Sequence, residues 1–297
     1  MYPSARAHAV LPRLLFMLAI ATPAAAQRRE APIADTEDAS LGSSAVGPGR
    51  LHVIAGLDVR NADFVRGSFD DDPVSLEQVP VHVQVGLVYE LARDGDGDAT
   101  RWLMLRTSNG FHAPTDDERT SPRSWYESNN LVGIAERLAP GLIGATTYAI
   151  KTSPNGIAGT SHEVSGVLSF ARDRGLGALN PGFATTWRPK GGSGFYTQVS
   201  VEPDWSLGSS DDAPRLSIPS IMGVGWAGFY ERGSGNRAYG STGLALQLPL
   251  AIGGGHWNAR AEALVLVRDD RLRRLGGARA DTATAVPYVT IALAYSY

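Results

Sequence analysis

Every second residue from Val79 to Leu91 is large and apolar: Val79, Val81, Val83, Val85, Leu87, Tyr89 and Leu91. Pro80, His82, Gln84, Gly86, Val88 and Glu90 lie between them. A period of two belongs to a strand with two unlike faces. The beat recurs in "LHVIAGLDVR", where Leu51, Val53, Ala55, Leu57 and Val59 oppose His52, Gly56, Asp58 and Arg60, with Ile54 as the exception. It recurs in "PYVTIALAYSY", where Val289, Ile291, Leu293, Tyr295 and Tyr297 alternate with small or polar residues. "RWLMLRTS", "NNLVGIAERL", "GLIGATTYAIK", "SHEVSGVLSF", "GFATTWRPK", "GFYTQVSVEPDW", "SIMGVGWAGFY", "AYGSTGLALQLPL" and "HWNARAEALVLVR" read the same way. The pattern predicts an all-β chain of about twelve strands, within roughly ten to fourteen, and no helical period of comparable length interrupts it.

A soluble sandwich also alternates, with its polar face in water and rich in Lys and Glu. Here the polar faces differ. In "GFYTQVSVEPDW" the set Tyr196, Gln198, Ser200, Glu202 and Asp204 opposes Phe195, Thr197, Val199, Val201, Pro203 and Trp205. In "HWNARAEALVLV" the set Asn258, Arg260, Glu262 and Leu264 opposes Trp257, Ala259, Ala261, Ala263 and Val265. Lysine is scarce and charges of both signs mix with Gln, Ser and Thr, which suits a crowded, wet lumen. The 34 glycines and the low charged fraction of 19% fit a strand-and-turn protein. A net charge of −3 leaves no basic excess, so no nucleic-acid partner is expected.

The start of the chain has another character. Arg6 and Arg13 precede an apolar run from Leu14 to Ala21 and small residues before Gln27, the layout of a secretory signal peptide over 1–26. The run is too short for a membrane-spanning helix, which needs ~20 residues. Residues 27–49, rich in Ala, Ser, Gly, Pro and acidic groups, predict a disordered leader. Residues 50–297 then form one domain. Export without cysteine leaves no disulfide to hold it.

Connections alternate in length. "DGDGD", "APG" and "IGGG" are short; "GSFDDDPVSLEQ", "GFHAPTDDERTSPRSWYE", "SLGSSDDAPRLSIP" and "DDRLRRLGGARADTATA" are long and read as external loops. Asp94, Asp96 and Asp98 superficially suggest a calcium loop, but Leu105 stands where a bidentate Glu is required, so a plain turn is expected. Trp102, Tyr126, Tyr148, Trp187, Trp205, Trp226, Tyr230 and Trp257 lie near strand ends and fit aromatic girdles. A signal segment, an even dozen of alternating strands and a terminal aromatic together resemble the Gram-negative outer-membrane β-barrels over residues 50–297. The resemblance implies a single transmembrane antiparallel barrel among outer-membrane lipid and lipopolysaccharide. It also implies that Tyr297, Tyr295 and Leu293 are read by the barrel-assembly machinery. Closure has its own physical reason: in lipid every backbone polar group must be paired, and a closed sheet leaves no edge.

Two finer resemblances compete. Residues 129–170, with their "SPNG" loop and Thr-x-x-Glu-Val strand, resemble small porins of the TorF-like kind, which implies a passive barrel without a catalytic motif or cofactor. "RTSNGF" with "SPRSWYE" is similar to the signature of outer-membrane phospholipase A, matching at Ser108, Asn109, Gly110, Arg123, Ser124 and Trp125. It implies Ser108 as nucleophile. The family's catalytic His position holds Arg106, which stays protonated and cannot take the serine proton, and its orienting Asn position holds Tyr126. His112 follows in the next loop. His52 and His82 face the same way as Asp58 and Glu90, without tight ligand spacing, so lumen lining is expected there and no metal site. The expectation is a porin-like channel for passive diffusion of small polar solutes. Its lumen candidates are Asp58, Arg60, His82, Gln84, Glu90, Gln198, Glu202, Asp204, Arg260 and Glu262. A phospholipase-like barrel and a structural or surface-binding barrel are the alternatives. A lumen of twelve strands is narrow and easily plugged by side chains.

Overall fold

The computed structural model describes residues 29–35, 37, 40–69, 79–116, 118, 120–170, 175–210, 212–275 and 283–297. The expected signal segment lies outside them. The strands are β1 (Glu30–Ala34), β2 (Leu41–Ala45), β3 (Leu51–Arg60), β4 (Phe64–Val65), β5 (Ser68–Phe69), β6 (Val81–Arg93), β7 (Ala99–Phe111), β8 (Trp125–Ala139) and β9 (Leu142–Thr152). They continue with β10 (Ser161–Phe170), β11 (Gly182–Lys190), β12 (Phe195–Val201), β13 (Asp204–Ser206), β14 (Arg215–Ser217), β15 (Ser220–Gly225), β16 (Arg237–Leu250), β17 (His256–Arg268) and β18 (Ala285–Ser296).

Twelve of these form the wall. β3, β6 to β12 and β15 to β18 each pair antiparallel with the next, and β18 pairs back onto β3, with Leu293 opposite Leu57. The ring is a closed twelve-stranded antiparallel barrel. Its apolar face is outside: Leu57, Val85, Leu105, Ile134, Tyr148, Leu168, Phe183, Val199, Met222, Leu244, Val265 and Ile291, one from each wall strand, are exposed. Soluble proteins rarely expose so continuous an apolar belt, and it matches hydrocarbon. The chain therefore has the architecture of an outer-membrane β-barrel, and all twelve segments read as strands in the sequence are strands of its wall.

Counting strands around the ring fixes the two ends. The turns Asp94–Asp98, Pro140–Gly141 and 251–255 lie at the end where Leu51 begins the wall and Tyr297 follows it. Asp94 Oδ1 accepts the N–H groups of Asp96 (3.1 Å) and Asp98 (2.9 Å), so this acidic run is a self-satisfied hairpin turn. The stretch 206–219, expected as an external loop from its length, lies at this turn end too in its described part, 206–210 and 212–219. Pro203 and Pro219 interrupt β12 and β15 because proline brings no N–H to the ladder. β13 and β14 continue the two strands past them, with Arg215 opposite Gln247 of β16.

The residues expected as a disordered leader over 27–49 are ordered instead across their described part. β1 and β2 pair only with each other, Glu30 opposite Ala45 and Ala34 opposite Leu41, and the hairpin lies inside the barrel. Ala31, Ala34, Leu41 and Val46 are buried against the inner-face residues Val88, Trp102, Met104, Leu131, Ala135, Ala145, Ala149, Val167 and Ala184. Four of those nine wall residues are alanines, which leaves the width a hairpin needs. Leu41 and Val46 each gain ~1.5–3 kcal/mol from leaving water when fully buried. Composition alone could not show this, since the hairpin is marginal by itself and is stabilised by the wall.

A second filling enters from the loop end. Ala62, Phe64, Phe229 and Leu272 pack with Tyr196, Tyr239, Leu266 and Val286 over the opposite half of the lumen. Three aromatics expected in girdles belong to the interior: Trp102 and Tyr126 are buried, and the Tyr230 hydroxyl donates to the Arg66 carbonyl at 2.6 Å. Trp187, Trp205 and Trp226 are exposed on the outside, as a girdle requires.

Candidate functional site

The ten lumen candidates all occupy inward-facing positions of their strands or of strand extensions, in three groups. The first is a buried ionic cluster near the loop end. Arg60 donates to Asp58 from Nε (2.5 Å) and to Glu37 from Nη1 (2.5 Å), and lies 3.8 Å from Asp63. His82 Nδ1 is 3.2 Å from Asp58, and Gln84 donates to the same carboxylate at 3.1 Å. The Tyr126 hydroxyl sits 2.6 Å from His82 Nε2.

Tyr126 reaches this cluster through a bulge. Gly110 of β7 faces Glu127 and Phe111 faces Trp125, so Tyr126 is the extra residue and turns inward beside Glu127. Its ring lies over Gly110, where a Cβ would come within 2.5 Å of Cζ, so only glycine fits.

Gln198 belongs to a neutral group: Tyr196 donates to its Oε1 at 2.7 Å, and the Tyr196 and Tyr239 hydroxyls are 2.8 Å apart. The remaining candidates serve the turn end. Arg260 bridges Glu202 (2.8 Å) and Glu262 (2.6 Å), Ser217 donates to Glu202 at 2.7 Å, and Arg215 pairs with Asp204. Glu90 pairs with Arg93 and lies 3.0 Å from His52 Nε2. Most of these groups border a cavity of about 1000 Å³ that carries both signs of charge and is rimmed by turn residues such as Asp94, Asp98 and Gly141.

Sequence reasoning missed a second buried ionic centre. Arg66 grips Glu163 with both Nη atoms (2.9 and 2.8 Å), Arg188 donates to Glu163 at 3.0 and 2.7 Å, and Lys151 lies 3.6 Å away. The Arg66 guanidinium also stands 5.0 Å from the Tyr196 ring centre, within cation–π range. Three cations thus converge here on one carboxylate, the reverse of the carboxylate-rich cluster around Arg60. Glu163 shares its parity with Val167 on β10, so the same alternation places it inside. Arg66, Asp63 and Glu37 sit in aperiodic segments, where no such signal exists.

Beyond the Arg60–Glu37 pair, further side chains fasten the hairpin to the wall. Arg106 donates to the Ala34 carbonyl, Lys151 to the Glu37 carbonyl (3.3 Å), and Ser296 to the Ala45 carbonyl (2.6 Å); Ser44 also bonds Ser296 at 2.9 Å. Arg106 and Ser108 both point inward, away from lipid. The Ser108 hydroxyl has no exposure and no hydrogen-bond partner. His112 lies 2.5 Å from Glu118 instead, with its ring against Tyr126. The signature shared with the phospholipase family therefore forms no nucleophile–base pair here.

No family model matches the chain, and no curated protein matches it. Among solved structures, a bacterial polysaccharide outer membrane secretin aligns at 9% identity over 84% of this chain and 98% of its own, with a TM-score of 0.43. The NanC porin aligns at 10% identity over 82% and 98%, with a TM-score of 0.42. LpxR from Salmonella typhimurium aligns at 9% identity over 82% and 99%, with a TM-score of 0.39. Likeness at that level bears on neither activity nor ligand.

Proposed function

We propose that this chain is an exported outer-membrane barrel with porin-like function, passing small polar solutes, and that its pore is gated. The hairpin β1–β2 is the gate and withdraws toward the turn end. One observation carries the reading: a vestibule of about 1000 Å³ lined by charges of both signs ends against a hairpin whose strands pair only with each other and with no strand of the wall. Glu202, Arg260, Glu262 and Asp204 set the preference among solutes at its mouth. Tyr297, Tyr295 and Leu293 present the final strand to the assembly machinery, and the outer belt contacts lipid and lipopolysaccharide.

Single-channel recording in planar bilayers tests this. The refolded mature protein is expected to show rare, brief openings. A variant lacking residues 29–46 is expected to conduct steadily, with selectivity that shifts when Glu202 or Arg260 is neutralised. Two folded barrels that both stay silent refute the channel and favour a structural or surface-binding role.

A further inference from the structure

The two fillings of the lumen meet at one place. Glu37 stands at the hairpin tip, Asp63 on the segment entering from the loop end, and His82 on the wall strand β6. One ligand-capable atom from each lies within 4.8 Å of the others, and all three residues are buried. Glu127 closes the group: its Oε2 is 3.6 Å from His82 Nε2 and accepts no hydrogen bond, although the side chain is only 6% exposed. Among the described residues, the four carboxylates Glu37, Asp58, Asp63 and Glu127 surround Arg60 and the His82 imidazole. The Lys151 ammonium nearby is shared with Glu163.

We infer that Glu37, Asp63 and His82, with Glu127 as fourth donor, bind a divalent transition-metal ion. An imidazole nitrogen among carboxylates suits Zn²⁺ or Mn²⁺, whereas Ca²⁺ and Mg²⁺ take oxygen donors. A tetrahedral ion with bonds of ~2.1 Å needs donors roughly 3.4 Å apart. Side-chain rotation would supply that contraction: Arg60 would release Glu37 while keeping Asp58, and the Tyr126 hydroxyl would release His82 Nε2, which it holds at 2.6 Å. The ion would join gate, loop segment and wall in one coordination sphere. As a latch for the closed state it rests on the gated-channel reading; as a binding site it rests on the geometry alone.

The test is calorimetric titration of the refolded mature protein with Zn²⁺ alone, folding being checked by heat-modifiable electrophoretic mobility. One ion per barrel is expected, with affinity at least tenfold weaker in Glu37→Gln and in Asp63→Asn, and no competition from Ca²⁺ or Mg²⁺. Glu37 lies on the hairpin, so its substitution leaves the wall intact. No binding, or binding unaltered by Glu37→Gln, overturns the site, the second result marking an ion held by surface histidines such as His162. Bilayer recording with Zn²⁺ and after chelation separates the two ideas. Binding that is lost in Glu37→Gln but leaves conductance unchanged upholds the site and overturns the latch.

Discussion

Replacing Arg60 by methionine keeps most of the side chain's volume and removes its charge. In the native protein that charge meets Glu37 and Asp58 at 2.5 Å each and Asp63 at 3.8 Å, with every side chain at most 10% exposed. Deleting one member of a buried ionic group costs ~3–5 kcal/mol, because the partners remain buried and unpaired. The wall cannot relieve this, since Asp58 is fixed on β3 and keeps His82 and Gln84. Glu37 can relieve it, by leaving with the hairpin. The cost therefore falls on the docked-to-released equilibrium of β1–β2, at tenfold per 1.4 kcal/mol, or roughly 150- to 4,000-fold. Amide hydrogen exchange reads that ratio directly. Protection in 30–34 and 41–45 is expected to fall by that factor in Arg60→Met, with the wall strands unchanged and channel open time increased. Unchanged protection of the hairpin, or loss spread over β3 and β6, would refute the reasoning.

Two more substitutions separate wall from lumen. Leu105→Arg places a charge at the middle of β7 on the lipid side, beside a native Arg106 that faces inward; it is expected to cost ~2–4 kcal/mol in reversible unfolding from lipid vesicles. Glu163→Gln leaves Arg66 and Arg188 without their carboxylate, at ~3–5 kcal/mol for the buried group. Limited proteolysis is expected to cut within 61–69 in that variant and not in the parent, while the barrel keeps its heat-modifiable band.

The wall was legible because period two encodes both element and face. Leu105 outside and Met104 inside follow from one reading of "RWLMLRTS". Applied strictly, the same parity places Trp102 inside; its position near a strand end suggested a girdle instead. Tyr126 escaped for a different reason, since a bulge breaks parity and announces itself only in the pairing. The stretch 206–219 was assigned by length, whereas counting strands around a closed ring decides which end a connection occupies. The hairpin left no periodic trace, because Ala31, Ala34, Leu41 and Val46 sit among small and acidic residues and gain their burial from the wall. Hence Asp58, Arg60 and His82 were visible as inward residues, while Glu37 and Asp63, which complete their cluster, were not.

Ser296 and Tyr297 hold two structures at once. Tyr297 exchanges backbone hydrogen bonds with Val53 (3.1 and 2.9 Å) across the β18–β3 seam, while Ser296 holds the root of the hairpin at Ala45 and at Ser44, 252 positions earlier. Contacts between such distant positions are slow to form, because the chain must first lose the entropy of closing that loop. The order of events during biogenesis follows. The Ser296 contacts at the root of the hairpin form only when the last strand is in place, whereas Arg60, Arg106 and Lys151 on earlier strands hold its far end.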